Sequence, residues 1–268
     1  MKKFCLMTVT LGLGFLVTSV AWGTDCPVVV YQTDFSNNQG WQTNNAENYY
    51  LNSLAPGGSS AYYQREIDPK FDGKGVFPYD GLHGESAYHL LPTLKQDVKW
   101  CLEYDILAVS RDWASDGRLV FIDADMAVSG QDRNNFFGLN FARIDAGYIP
   151  MLEWMDENGN GGQKLYDPFQ LNVWYHCIVE WIPDEGKLYA EILRRNDGTH
   201  LVERNSVDVV GQFTGIDRIA MSTVGDPYAP GATGISYIDN IVVGQIPEPA
   251  TLLLLGLGGL GLLRKRRA

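Results

Sequence analysis

The sequence lacks the residue patterns that define common catalytic sites. Its four histidines, His83, His89, His176 and His200, show no H-x-H or H-E-x-x-H spacing typical of metal ligands. It contains no G-x-S-x-G nucleophile elbow and no phosphate-binding glycine loop. Glycoside hydrolysis needs two carboxyl groups about 5 to 9.5 Å apart. The alternating acidic pattern that would supply them runs through Glu103 and Asp105 but ends at Leu107. We therefore predict no catalytic residues.

Basic residues are also scarce, with 21 Lys and Arg against 32 Asp and Glu. Six of the basic residues and one acidic residue lie in the two end segments described below, so residues 24–245 carry a net charge of −16. Such an acidic surface disfavours nucleic acid and anionic lipid as partners. It is compatible with divalent cations or neutral glycans, and the alternative is that the charge serves only solubility outside the cell.

Residues 1–23 are predicted to form a signal peptide. Two lysines precede an apolar run at residues 4–20, and small residues occupy the positions that a signal peptidase reads, Ala21 and Gly23. Cleavage by signal peptidase is expected before Thr24. The chain is therefore expected to be exported by a Sec-type route, with residues 24–245 as its working domain.

The C-terminal segment, residues 246–268, has three parts in a fixed order. Pro247, Glu248 and Pro249 precede an uncharged apolar run at residues 250–263, and Arg264, Lys265, Arg266 and Arg267 follow it. As a helix this run rises about 21 Å, less than the roughly 30 Å of a hydrocarbon core. Counted from Ile246 it reaches about 27 Å, enough for a thin bilayer with the basic end cytoplasmic. An ordinary membrane anchor is the alternative.

This order of features closely resembles the PEP-CTERM sorting signal of Gram-negative bacteria that make extracellular polysaccharide. The resemblance implies recognition by an exosortase, a membrane-embedded cysteine transpeptidase-like enzyme that cleaves near the Pro-Glu-Pro motif. It also implies that a C-terminal transmembrane helix holds the chain in the inner membrane until cleavage. The protein would then reach the cell surface or the extracellular matrix.

Residues 24–245 are predicted to form one all-β domain, an antiparallel two-sheet β-sandwich between the signal helix and the membrane helix. Short runs with period-two alternation are separated by clusters of Gly, Asn and Asp, and no helical stripe is sustained. In residues 98–108, for example, alternate positions are apolar, which predicts a half-buried strand. The segments 183–186 and 196–199 have the composition of hairpin turns.

Three segments in order resemble concanavalin A-like and carbohydrate-binding-module jelly rolls. Tyr31–Trp41 is similar to an opening D-F-x-x-x-x-G-W motif, residues 173–181 to a central W-Y-H hairpin strand, and Tyr237–Val243 to a closing Y-I-D-N-I-x-V strand. The resemblance implies a jelly-roll fold. Such folds host lectins, glycan-binding modules, glycosidases, lyases and purely structural domains, so the fold alone gives no function.

Two groups of oxygen ligands are candidates for a structural Ca²⁺. The first group, Asp156, Asn158, Asn160 and Asp167, matches positions 1, 3, 5 and 12 of an EF-hand loop, with Asp in place of the usual Glu. The flanking segment is predicted to be a strand rather than a helix, which favours a hairpin turn. In the resembled jelly rolls a calcium often ties the first and last strands together, which implies Asp34 and Asp239. The alternative is a turn cap at Asp34 and a solvent-facing Asp239.

Three cysteines, Cys26, Cys101 and Cys177, remain after signal cleavage. An oxidising compartment favours one disulfide and one unpaired thiol. We predict the pair Cys101–Cys177, since both residues lie in predicted strands, although Cys26 could pair with either.

Aromatic residues in loop-like polar segments are candidates for stacking on sugars. Trp113, Trp154 and Tyr228 are the glycan-contact candidates, while Trp100, Tyr104, Trp174 and Trp181 are expected in the core. We therefore expect a non-catalytic protein that contacts extracellular polysaccharide. A glycan-active hydrolase or lyase with a divergent site, or a purely structural surface protein, is the alternative.

Overall fold

The structure of the protein is a computed structural model. It describes residues 26, 28–37, 40–43, 49–52, 61–67, 86–92, 98–111, 117–123, 135–144, 147–222 and 233–246. The signal peptide, the sorting segment from Pro247 onward, Trp113 and Tyr228 lie outside this part of the chain. Within it, no helix is long and apolar enough to cross a membrane. The signal helix and the membrane helix therefore stay predictions.

Fifteen strands make up the described fold. Those before residue 123 are β1 (Val28–Thr33), β2 (Gln42–Thr43), β3 (Tyr49–Asn52), β4 (Ala61–Ile67), β5 (Ser86–Leu90), β6 (Lys99–Arg111) and β7 (Arg118–Ile122). Those after it are β8 (Phe136–Ile144), β9 (Gly147–Met155), β10 (Gly161–Leu165), β11 (Trp174–Ile182), β12 (Lys187–Arg194), β13 (His200–Asp208), β14 (Arg218–Ser222) and β15 (Thr233–Ile246).

The strands form two sheets in which every pairing is antiparallel. Sheet A has the order β13-β12-β11-β6-β15-β4-β3, and β1 also pairs with β15. Sheet B has the order β10-β9-β8-β7-β14-β5-β2. The predicted hairpins join β11 to β12 and β12 to β13, with Gly186 and Gly198 at positive φ. The prediction of an all-β antiparallel two-sheet sandwich is confirmed.

The core lies between the two sheets and is rich in aromatic rings. Trp100 of sheet A lies 5.9 Å from Phe121 of sheet B, measured between ring centroids, and Phe121 lies 4.9 Å from Phe137. Trp181 meets Phe213 edge to face. Tilted and edge-to-face pairs of this kind add to the free energy gained from burying the rings. Alternate residues of each strand face this core, so the other residues form the outer faces of the sandwich.

Strand β15 lies inside sheet A and is paired on both edges over most of its length. One edge pairs with β6, while the other pairs first with β4 and then with β1. The ladder with β6 is interrupted between Asp239 and Val242, where Asn240 has a φ of 51°. The closing Y-I-D-N-I segment is thus a strand with a local irregularity that places polar side chains in the middle of the sheet.

The predicted disulfide Cys101–Cys177 is wrong. Cys26 is bonded to Cys101, and Cys177 is a buried free thiol. On the ladder between β6 and β11, Cys101 lies opposite Glu180 and Cys177 lies opposite Tyr104, so the two cysteines are three positions apart. Three positions of strand are about 10 Å, and this odd offset also points the side chains to opposite faces. Two cysteines so placed cannot bond, because a disulfide joins Cα atoms less than about 7 Å apart.

Candidate functional site

The most polar part of the sandwich is a cross-strand row on the outer face of sheet A. His176 of β11 lies opposite Asp105 of β6, and Asp105 lies opposite Asp239 of β15. Directly opposed residues point to the same face of a sheet, and the neighbours of Asp105 in sequence, Tyr104 and Ile106, belong to the core. We call His176, Asp105 and Asp239 the acidic row. The prediction that β6 is half-buried is wrong, because Asp105 is buried as well.

His176 and Arg195 link three carboxylates, Asp105 and Asp239 of the acidic row and the nearby Glu103. His176 Nδ1 lies 2.8 Å from Asp105 Oδ1, and its Nε2 lies 4.0 Å from Glu103 Oε2. Arg195, in the turn after β12, places Nε 3.2 Å from Asp105 Oδ2 and Nη1 4.0 Å from Asp239 Oδ2. Asn240 Nδ2 also donates to Asp105 Oδ2, at 2.7 Å. Each of the three carboxylates therefore lies within 4.0 Å of a cationic or ionisable nitrogen.

The cations lie nearer to solvent than the carboxylates. Glu103, Asp105 and Asp239 are at most 4% exposed, whereas the side chains of His176 and Arg195 are 22% and 34% exposed. A buried carboxylate is costly unless it is paired. The outer part of the site therefore presents nitrogen donors to an approaching ligand.

The pKa of His176 reflects this environment. Burial alone would lower the pKa, but the hydrogen bond to Asp105 and the charges of Asp105 and Glu103 outweigh burial and the opposing charge of Arg195. The net effect is a pKa raised above the ordinary value of a histidine. The protonated imidazolium is thus favoured, since two carboxylates face its two ring nitrogens.

Two aromatic residues flank the acidic row along the strands. Trp174 of β11 and Tyr237 of β15 both lie opposite Leu107, so they share the outer face on either side of β6. Both are half-buried, and the guanidinium of Arg195 lies 5.6 Å from the centroid of the Trp174 ring. The expectation that Trp174 belongs to the core is wrong, because its neighbour Tyr175 takes the inward position.

The outer face of sheet B has a different character. One ion pair is buried there, between Arg118 Nη2 and Glu153 Oε2 at 2.9 Å, and Asn140 Nδ2 donates to Glu153 Oε1 at 3.2 Å. Apolar residues surround this pair and are themselves buried. They form two small clusters, one of Val120, Ile122, Phe136 and Ala220 and one of Ala142, Ile149 and Met151.

The predicted calcium loop at Asp156 forms the turn between β9 and β10. Asp156 is fully buried, and its Oδ1 accepts hydrogen bonds from the backbone N–H groups of Asn158 and Asn160 at 2.8 and 2.9 Å. Asn160 directs its amide Nδ2 to the same carboxylate at 3.1 Å, and Asp167 is exposed beyond β10. The hairpin turn favoured by the sequence is confirmed. Calcium at this loop stays a prediction.

The second predicted calcium pair consists of Asp34, which directly follows β1, and Asp239, which lies in the middle of β15. Asp34 Oδ1 accepts a hydrogen bond from the backbone N–H of Ser36 at 3.0 Å, and this bond lowers the pKa of Asp34. Asp34 thus caps a turn, as the alternative expected. Asp239 does not face solvent, since it is buried beside Arg195. Calcium between these two residues also stays a prediction.

One cluster of potential metal ligands occurs in the described part of the chain. Cys26, Cys101 and Glu103 bring three ligand atoms within 4.8 Å of one another. The two sulfur atoms form the disulfide and are not available as thiolate ligands.

Of the predicted glycan-contact residues, Trp154 lies in the described part of the chain. It is half-buried on β9 and packs against the core. A Cβ at Gly162, the residue opposite it, would lie 2.7 Å from the Trp154 ring. The ring therefore packs closely against Gly162 of β10 at the edge of sheet B, away from the acidic row.

Of the acidic row, sequence reasoning predicted only Asp239 as a site residue. It missed His176 and Asp105, and it also missed Trp174, Tyr237 and Arg195. The signal was present in the alternation of Trp174, Tyr175 and His176, which assigns Trp174 and His176 to one face. Arg195 carried no such signal, because it reaches the row from a turn and its position depends on the register between β11 and β12.

Residues 245–267 match the PEP-CTERM protein-sorting motif. This motif implies export and exosortase-mediated sorting to the cell surface, as the sequence predicted. No curated protein sequence matches the chain.

Solved structures similar to this chain include carbohydrate-binding modules and lyases. The CBM2 module of the evolved Dit of Lactobacillus casei BL23 phage J-1 is 13% identical with a TM-score of 0.51, over 82% of this chain and 97% of that chain. Family 7 alginate lyase A1-II' is 11% identical with a TM-score of 0.49, over 75% and 82%. The module CBM66 from Bacillus subtilis is 13% identical with a TM-score of 0.41, over 77% and 96%. At such identities the CBM2 likeness shows the jelly-roll fold alone.

Proposed function

We propose that this exosortase-sorted protein acts without catalysis at the cell surface or in the extracellular matrix, where its sandwich contacts glycan. The contact site is the outer face of sheet A, between Trp174 and Tyr237. Signal peptidase and exosortase are its partners during export, and a polysaccharide is its partner afterwards. The inner membrane holds the chain transiently through residues 250–263.

The observation that carries this proposal is the presence of two half-buried aromatic residues, Trp174 and Tyr237, next to polar groups that are held in place. Trp174 and Tyr237 are two strands apart, about 10 Å, because β6 lies between them. The C–H-rich face of a sugar packs on aromatic rings, while its hydroxyl groups need donors and acceptors held in place. Arg195, His176 and Asn240 provide such groups beside the rings.

Charge favours a neutral glycan over a uronate polymer. The site contains three carboxylates, Glu103, Asp105 and Asp239, against the charges of His176 and Arg195, and residues 24–245 carry −16. A polyanion approaching this domain would be repelled.

The mode of pairing also supports a binding role over hydrolysis. An acid catalyst of glycoside hydrolysis must hand a proton to the leaving oxygen. Asp105 instead accepts from His176, Arg195 and Asn240, and Asp239 lies beside Arg195. These contacts favour a role in which the two carboxylates hold the neighbouring side chains in position and do not donate a proton.

A glycan array probed with the purified chain and with Trp174→Ala tests the proposal. Loss of a stacking ring is expected to weaken binding at least tenfold, and Tyr237→Ala should act in the same direction. The matched control is Tyr88→Ala on sheet B, since Arg218 lies over Tyr88 at 4.9 Å as Arg195 lies over Trp174. Equal loss in all three variants would contradict a site on sheet A.

The alternatives give different results on the same panel. Release of oligosaccharides from any polysaccharide would establish a glycan-active enzyme. Absence of binding to every glycan would favour a structural surface protein. If Trp113→Ala, Trp154→Ala or Tyr228→Ala abolished binding while Trp174→Ala did not, the glycan site would lie at the residues that the sequence predicted.

A further inference from the structure

The sorting motif begins inside the last strand of the sandwich. The motif covers residues 245–267, whereas β15 runs to Ile246, so Gln245 and Ile246 belong to both. These two residues are paired on one side with Trp100 and Lys99 of β6, and Gln245 is paired on the other side with Val28 of β1. The chain therefore passes from a sheet ladder into the sorting motif without a linker.

The distance between the sandwich and the apolar run is correspondingly short. Pro247, Glu248 and Pro249 are the residues that separate Ile246 from Ala250. Fully extended, this segment spans at most about 14 Å, and its two prolines each fix a φ angle. A chain anchored through residues 250–263 thus has its folded domain directly above the membrane.

We call the end of the sandwich where β15 finishes the tail end. In sheet A it includes the start of β6 and the end of β13, where Asp208 lies opposite Lys187. The segment after β13 crosses to sheet B, since Glu157 N donates to Gln212 O at 3.1 Å. The β9–β10 turn and the end of β5 lie at this same end, because Leu91 N donates to Asp217 O at 2.7 Å.

Exposed apolar side chains are concentrated at the tail end. Five large hydrophobic residues are exposed in the described part of the chain, and four of them lie there. These four are Val28, Val29, Leu90 and Val210, and each is at least 44% exposed. The fifth, Leu165, is the last residue of β10 and pairs with Met151 in the middle of β9, four positions along the strand from the tail end.

We propose that the tail end of the sandwich rests on the lipid surface while the chain awaits exosortase, with Val28, Val29, Leu90 and Val210 in the interface. This proposal rests on the membrane-holding part of the proposed function. The short tether keeps the apolar side chains at a high effective concentration next to the bilayer. A weak contact is then sufficient, even though a domain of charge −16 has little affinity for anionic lipid.

Cleavage would reverse the contact. Once the tether is cut, the lipid contact of these four side chains no longer outweighs the repulsion between an acidic domain and an anionic bilayer. The domain therefore leaves the membrane. The C-terminus that cleavage produces follows β15 and is then exposed at the tail end. In this arrangement the same surface positions the sorting motif before cleavage and lets the domain depart afterwards.

Site-specific photo-cross-linking tests this contact in the full chain. The photoreactive residue p-benzoylphenylalanine replaces Val28 or Val210. Leu165, at 47% exposed against 45% for Val28, is the matched control. The chain is reconstituted in vesicles of phosphatidylethanolamine and phosphatidylglycerol and irradiated, and adducts are identified by mass spectrometry. We expect lipid adducts several-fold more abundant at Val28 and Val210 than at Leu165, with unchanged melting temperatures for the three variants.

A flexible insertion between Ile246 and Pro247 provides a second experiment on the same lipid contact. About ten Gly and Ser residues add roughly 17 Å of root-mean-square length, so lipid adducts at Val210 should fall towards the level at Leu165. Equal adducts at all three positions, or adducts only to a second copy, would overturn the lipid contact. Extraction at alkaline pH distinguishes the absence of a lipid contact from failure of the membrane anchor. A chain without a membrane-held tail would be washed from the vesicles.

Discussion

Both sheets bury charged side chains on their outer faces, but the residues that surround these charges differ between the two sheets. On sheet A the central strand β6 buries Glu103 and Asp105 beneath half-exposed His176 and Arg195. On sheet B the central strands bury apolar side chains around one ion pair, Arg118–Glu153. Buried charge is stabilised in both cases by close partners, but only on sheet A do those partners reach solvent. The outer face of sheet A therefore presents charged groups to solvent, whereas the charged pair of sheet B is nearly enclosed by its neighbours.

The largest expected effect concerns the covalent link on the outer face of sheet A. Replacing Cys26 and Cys101 together by Ala should lower the free energy of unfolding by about 4–5 kcal/mol, because the two residues are 75 positions apart and the unfolded chain regains that open loop. The control is Cys177→Ala in the core, with an expected loss of about 1 kcal/mol from a small cavity. Urea denaturation measures both. A cost for Cys177→Ala equal to that of the double variant would restore the pairing that the sequence predicted.

The next prediction compares the loss of stability when one arginine is replaced on the outer face of each sheet. Arg118→Met should lower the free energy of unfolding by about 3–5 kcal/mol, since it leaves the Glu153 carboxylate without its cation in a nearly closed site. Arg195→Met should cost less than Arg118→Met, because Arg195 is 34% exposed, Asp105 keeps His176 and Asp239 keeps the backbone N–H of Asn240. Urea denaturation at constant pH measures the two. Similar losses for both variants would mean that the two faces are energetically alike.

The pH dependence of stability should differ between His176 of sheet A and His89 of sheet B. The pKa of His176 is raised in the folded protein, so its stabilising contribution is complete below about pH 6.5 and is lost as the pH rises through the raised pKa. Burial lowers the pKa of His89, against a smaller effect of the Gly40 backbone, so its contribution is lost as the pH falls below about 6.5.

Urea midpoints of His176→Gln and His89→Gln between pH 5 and 9 separate the two contributions. The first variant should lose the decline on the alkaline side, and the second should lose the decline on the acid side. Parallel curves for the wild type and the two variants would show that neither histidine is linked to folding.

Calcium is expected to have the smallest effect. Added Ca²⁺ should raise the melting temperature by a few degrees, about 2–4 °C per kcal/mol for a domain of this size, and a chelator should reverse the rise. Asp156→Asn tests the turn between β9 and β10, and Asp239→Asn tests the acidic row. The variant that loses the response identifies the site. An identical melting curve with Ca²⁺ and with chelator would remove calcium from both.

The two-sheet architecture was predictable because the sequence patterns that specify strands and turns are local. Period-two alternation and the turns at Pro183–Gly186 and Asn196–Thr199 are local, and local patterns specify strands and hairpins. The disulfide was not predictable, since it depends on which residues face each other between β6, β11 and β15. The acidic row also depends on register. Asp105, His176 and Asp239 are far apart in sequence, and only the pairing of their strands places them together.

The bridge between Cys26 and Cys101 crosses the strand that ends in the sorting motif. Gly244 lies opposite Cys101, and a Cβ at Gly244 would come within 2.6 Å of the Cys26 Cβ. Strand β15 is therefore inserted between two strands, β1 and β6, that precede it by more than a hundred residues. Such long-range pairing is slow to form. Sheet A is incomplete until β15 has been added, so the sheet cannot close before the residues at the start of the sorting motif are available.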